Sequence, residues 1–109
     1  MAHTTIQDLT AQVSIQQGAV VSRVVHRDAD LDVTVFAFDT DEGLSEHTAT
    51  RQAIVQVLTG RLRLTVDGED VDMLPGTWVI MDPGAPHALV AGEPTVLLLT
   101  VLLLTMLRS

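Results

Sequence analysis

The chain has 109 residues, 47% of them hydrophobic and 3% aromatic, and a net charge of −8 from 6 basic and 14 acidic side chains. That charge argues against a nucleic-acid partner, and the absence of Lys, Cys and Tyr removes Schiff-base, thiolate and phenolic chemistry along with thiolate metal ligands. Carboxylates and four histidines remain as titratable chemistry: His3, His26, His47 and His87.

Thr5-Ile6-Gln7-Asp8 has the spacing of a capping box and predicts a helical turn within an N-terminal arm, residues 1–17. The first dozen residues lack both a basic start and an apolar run, so no signal peptide is expected. With no cysteine present, a cytoplasmic location is the expectation. After Gly18 the pattern becomes β. Val20 to Arg27 and Leu31 to Phe38 read as strands joined by the turn Asp28-Ala29-Asp30, and Asp39 to Gly43 reads as an acidic, solvated loop. Phe36 and Phe38 share a face and are expected in the core or at a subunit contact.

Ala53 to Leu58 is the next strand, closed by Gly60, and Arg61 to Val66 follows it. Asp67-Gly68 is a hairpin signal. Taken as a two-residue turn it pairs Val66 with Glu69, Leu64 with Val71 and Leu62 with Met73, and sets Arg63 opposite Asp72 as a cross-strand ion pair. Pro75-Gly76 turns the chain into a strand from Thr77 to Met81. The loop Asp82-Pro83-Gly84-Ala85-Pro86 leads to a strand from His87 to Val90, and the last strand starts at Thr95. Val96 to Leu107 is twelve residues long, too short for a membrane span of about twenty, and reads as a terminal strand buried on both faces. Eight or more short strands with regular turns and little helix describe one all-β domain over residues 1–109, a sandwich or barrel with its core at about 20–105.

Two histidines occupy strand mouths. His47 follows a loop and precedes a strand, and His87 ends a Pro/Gly loop and opens a strand. They can converge at one end of a barrel as a ligand or metal site. They can equally be half-buried histidines satisfied by backbone carbonyls, and spacing alone leaves both readings open. His26, beside Arg23 and Arg27, reads as a surface or edge residue, and His3 lies in a terminus. Trp78, the sole Trp, reads as a core or interface anchor or as pocket lining.

These positions resemble the cupins. Gly76, followed after five residues by Asp82-Pro83-Gly84 and then by His87, is similar to the second cupin motif, with Asp82 where the family has Pro and Ala91 where it has Asn. Gly60, preceded by Val55-Gln56-Val57-Leu58-Thr59, closes a run similar to the first motif. Counting back from it sets Ala53 at the family's metal-binding Glu, Ala49 at its second His and His47 at its first; Gly43 lies two residues too close to His47 for the motif's opening Gly. The resemblance covers roughly residues 32–104. It implies a small single-domain cupin, a jelly-roll β-barrel or double-stranded β-helix, whose first metal motif is degenerate and which keeps His47 and His87.

On that resemblance the expected function is a small-molecule-binding module of sensor or carrier type, with His47, His87, Gln52 and Trp78 at the ligand. The alternative is a metal-dependent cupin enzyme of dioxygenase or isomerase type. One divalent transition metal (Zn, Ni, Fe or Mn), weakly held by His47 and His87 with Gln52 or Glu46 as further candidates, is the implied cofactor. Open sheet edges, the N-terminal arm and the apolar last strand set the further expectation of a homodimer, with no nucleic-acid or membrane partner.

Overall fold

The computed structural model describes residues 2–103. A 3-10 turn at Thr10–Gln12 precedes nine strands: β1 Val20–Arg27, β2 Leu31–Phe38, β3 Gly43–His47, β4 Ala53–Thr59, β5 Leu62–Val66, β6 Glu69–Met73, β7 Trp78–Met81, β8 His87–Ala91 and β9 Thr95–Leu102. They form two antiparallel sheets in the orders β1-β2-β9-β4-β7 and β3-β8-β5-β6, the jelly roll the resemblance implied. Among the described residues no helix is long and apolar enough to cross a membrane.

Strand alternation builds the core. Ala53, Val55 and Val57 on β4, Leu62 and Leu64 on β5, and His87, Leu89 and Ala91 on β8 are the buried members of alternating patterns. The apolar ones meet Phe38, Met73, Met81 and Leu97 in one cluster between the sheets. Phe36 and Phe38 stack with ring centroids 5.7 Å apart, as their shared face predicts. Fully burying each such aliphatic side chain contributes roughly 1.5–3 kcal/mol, so the apolar face of every strand resists a one-residue slip.

The β5–β6 hairpin has the register the sequence implies, from Leu62↔Met73 to Val66↔Glu69. Asp67 and Gly68 both take positive φ, as a type I′ turn demands. The expected ion pair between Arg63 and Asp72 does not form, although the two lie opposite. Arg61, just outside β5, reaches across and takes both Asp72 oxygens, Nε at 3.0 Å and Nη2 at 2.8 Å. The bidentate fork of Arg61 thus takes the place expected for Arg63.

Gly76 ends the β6–β7 turn in a bulge. Its N–H bonds the Val57 carbonyl at 2.9 Å, the Val57 N–H bonds the Thr77 carbonyl at 3.2 Å, and Gly76 itself has φ of 92°.

Three further expectations are corrected. The Thr5–Asp8 box does not cap a helical turn; Asp8 Oδ1 instead accepts from the Thr10 N–H and hydroxyl, and the turn starts two residues later. Gly43, read as the end of the Asp39–Gly43 loop, instead opens a strand that runs to His47, so His47 ends a strand rather than following a loop. The last strand is fully buried only over Thr95–Leu97 and half-buried from Leu98 to Leu102; residues 104–107 of the expected run lie outside the described residues. The N-terminal arm explains the difference. Thr4, Ile6 and Leu9 line an open cavity of about 260 Å³ together with Val25, Leu31, Val33 and Leu98, so this part of the arm lies on the β1–β2 side of the last strand.

Candidate functional site

The β1–β2 turn, the β3–β4 and β7–β8 loops, the β5–β6 hairpin and the end of β9 all gather at one end of the barrel, where His47 closes β3 and His87 opens β8. The two are register partners. Their rings lie edge to face with centroids 4.2 Å apart at 64°. The structure therefore brings together the two histidines that the sequence singled out.

Each is aimed by a local device. On β8, His87 alternates with Leu89 and Ala91 and so faces the interior, 8% exposed. The loop before it is a turn in which the Ala85 N–H bonds the Asp82 carbonyl at 3.2 Å, with Pro83 first and Gly84 second at φ of 83°. Gly84 N–H also bonds the Ala49 carbonyl at 2.7 Å, tying this loop to the one after His47. The turn presents the Ala85 carbonyl to His87 Nδ1 at 2.9 Å.

On β3 the pairing runs Leu44↔Leu89 and then His47↔His87, three residues against two. This bulge at Ser45 and Glu46 is what sets Leu44 and His47 on the same face, since strict alternation would separate residues three apart. His47 Nδ1 then meets the Ser45 carbonyl at 2.9 Å. A carbonyl oxygen carries no proton, so Nδ1 is the donor in both rings. In the neutral imidazoles both Nε2 atoms are therefore lone-pair acceptors. His47 is exposed at the mouth and His87 lies beneath it.

The surroundings are apolar. Ala53, at the position where the family carries Glu, is 4% exposed and pairs with Met81 and Val101. Val66 of β5 is the other register partner of His87. No group of three His, Cys, Asp or Glu able to hold a metal occurs among the described residues, so Glu46, exposed on the β3 bulge, does not complete a set with the histidines. Gln52 directly precedes inward-facing Ala53, and its carbonyl accepts from the Leu102 N–H at 3.0 Å. Alternation assigns its side chain to the face of Ile54, away from the interior. Trp78 lies on β7 and is 53% exposed, so it is not a core residue, and it projects from the outer face away from the histidines. His26, on edge strand β1, binds Asp28 Oδ2 at 2.6 Å and stands apart from the pair. His3 is exposed in the arm.

The residues missed from sequence are those that orient the histidines: the Ser45 and Ala85 carbonyls and the β3 bulge. Ala85 carried a signal in the Pro-Gly turn before it. Gly-Leu-Ser-Glu-His has a single apolar residue and no alternation, and it carried none.

Residues 34–102 match the family model of the cupin domain. Among solved structures, a conserved protein of unknown function from Streptococcus pyogenes is 33% identical, with a TM-score of 0.85 over 97% of this chain and 93% of that one. A Cupin 2 conserved barrel domain protein from Leptotrichia buccalis is 29% identical, with a TM-score of 0.81 over 85% of this chain and 45% of that one. A cupin superfamily protein from Desulfitobacterium hafniense shares the fold at 19% identity, with a TM-score of 0.82 over 86% of each chain. No curated protein matches the sequence significantly. With the family model spanning most of its length, from the second strand to the end of the ninth, the chain belongs to the cupin family.

Proposed function

We propose that this cupin is a small-molecule-binding module of sensor or carrier type, whose ligand enters at the loop end and is held by His47 and His87. One observation carries the reading: both Nδ1–H groups are spent on backbone carbonyls, which leaves the Nε2 of each of two neighbouring rings as an acceptor at the mouth of an apolar barrel. Two acceptors select a ligand that donates hydrogen bonds, such as a hydroxyl, ammonium or amide N–H, on a partly apolar body.

A second reading is a metal-dependent enzyme of dioxygenase or isomerase type. Imidazoles that ligate a metal through Nε2 characteristically donate Nδ1–H to a carbonyl or carboxylate, the arrangement both histidines have. A divalent ion bound there would act as a Lewis acid or activate dioxygen. Two protein donors out of the four or so that such ions usually take fit a weakly held, exchangeable ion. The incomplete set favours the binding module.

Titration of histidine-labelled, metal-free protein by nitrogen NMR tests both readings. One series adds small polyols, amines and amides, and another adds Zn²⁺. The module reading expects an organic compound to shift the Nε2 resonances of His47 and His87 together without metal. Stoichiometric, tight Zn²⁺ binding with no organic response would transfer the assignment to the enzyme, and two silent rings in both series would refute a shared site.

A further inference from the structure

The outer face of the β3-β8-β5-β6 sheet carries an open cavity of about 520 Å³. Arg63 alternates with buried Leu62 and Leu64 on β5 and so faces solvent, in the row Val90↔Arg63↔Asp72. That row lies near the Leu62↔Ala91 end of the sheet, whereas His87 pairs with Val66 at the other end and faces the interior. Backbone bonds fix the walls. The Asp41 N–H bonds the Ala91 carbonyl at 2.9 Å, which holds Asp41 beside the end of β8, and the Gly92 N–H bonds the Arg61 carbonyl at 2.9 Å.

Five charged side chains line this cavity: Asp41, Arg61, Arg63, Asp70 and Asp72. Arg61 and Asp72 neutralise one another through their bidentate pair. Among the described residues Arg63, Asp41 and Asp70 belong to no ion pair; Asp70 accepts only the Thr65 hydroxyl, at 2.7 Å. One positive and two negative groups therefore face the cavity without a bonded counter-charge. A plain anion meets repulsion there from both carboxylates, from Glu93 beside Arg61 and from a chain of net charge −8. A plain cation meets Arg63. A molecule carrying both signs satisfies all three groups.

We infer that this cavity is a second ligand site, independent of the histidine pair, which takes a free amino acid with a cationic side chain, of the lysine type. Its carboxylate meets the Arg63 guanidinium, whose planar fork matches a carboxylate. Its two ammonium groups meet Asp41 and Asp70, which flank Arg63 from opposite sides: Asp41 sits on the β3 side of β8, and Asp70 on β6. Three strand spacings, roughly 14 Å, separate those positions. The reach of two aspartate side chains shortens that gap to one that a short aliphatic diamine chain bridges. The cavity volume lies within the range of about 300–1,000 Å³ usual for small-molecule sites. All the groups involved are exposed, so binding is weak and falls with added salt.

Titration of nitrogen-labelled protein with lysine tests the site by NMR. Saturable shifts of the Arg63 Nε–H and Gly92 amide resonances in the millimolar range are expected, with the His47 and His87 rings unmoved. Acetate, which offers only the carboxylate, and cadaverine, which offers only the two amines, are expected to bind at least tenfold more weakly than lysine. Arg63→Gln and Asp41→Asn, both at exposed positions, are each expected to weaken lysine binding at least tenfold, with circular dichroism confirming the fold. Silence of the Arg63 and Gly92 resonances at tens of millimolar lysine overturns the proposal from wild-type protein alone. Acetate or cadaverine binding as well as lysine overturns it too, as does a folded Arg63→Gln variant with unchanged affinity or a response confined to the histidine rings.

Discussion

His47 and His87 make the same hydrogen bond, Nδ1–H to a carbonyl two residues back, at the same 2.9 Å. They differ in burial, and burial decides what each contributes to stability. Removing the His87 ring leaves the Ala85 carbonyl unpaired in a site that water reaches poorly. His87→Ala is accordingly expected to cost about 1–2 kcal/mol in urea unfolding. His47→Ala exposes its carbonyl to solvent and should change stability by less than about 0.5 kcal/mol. Both substitutions are expected to abolish the joint histidine response to ligand in NMR, which separates the shared site from the unequal structural roles.

At the scale of the element, the bulge in β3 controls the site. Leu44 and His47 are three residues apart and still face the same way, because Ser45 and Glu46 together oppose one residue of β8. Deleting Glu46 removes the extra residue and sets His47 two positions from Leu44, so plain alternation alone keeps it facing inward opposite His87. Such a variant is expected to keep the β circular dichroism of the barrel and to retain its ligand or Zn²⁺ binding by calorimetry. The bulge in β7 is a matter of backbone conformation. Nothing lies within 4 Å of a side chain added at Gly76, whose φ is 92°, so Gly76→Ala is expected to lower stability by about 1–2 kcal/mol in urea unfolding, through strain alone. Neither bulge was legible beforehand. Pro75-Gly76 advertised its turn, whereas the residues of β3 advertised neither a strand nor a bulge.

Across the whole molecule, carboxylates carry the pH dependence. Asp28 is held below its ordinary value of 3.8 by the His26 hydrogen bond and then by the Asp30 and Leu31 N–H groups. The Gly18 and Thr40 N–H groups do the same for Asp39, Arg61 for Asp72 and Thr10 for Asp8. A depressed folded pKa adds stability that is complete above the unfolded value and disappears as pH falls through the folded one. Thermal unfolding followed to low pH is therefore expected to lose midpoint temperature through these carboxylates as pH falls below about 3.8, the unfolded value. Asp39→Asn should remove part of that acid loss, since its bond to Gly18 ties the N-terminal arm to the end of β2.

Local pattern by itself determined most of the architecture: both first strands with their ends, the β5–β6 register, the loop that delivers His87, and the two histidines as the residues to watch. Period-two burial and turn chemistry act between near neighbours in the chain, so they are written there. The tertiary structure alone decided three matters. It set His47 inward through a bulge that exists only against β8, gave Asp72 to Arg61 rather than to the residue opposite, and left Trp78 outside. Each depends on partners brought together by the fold. Side-chain reach and pairing across strands are properties of that assembly.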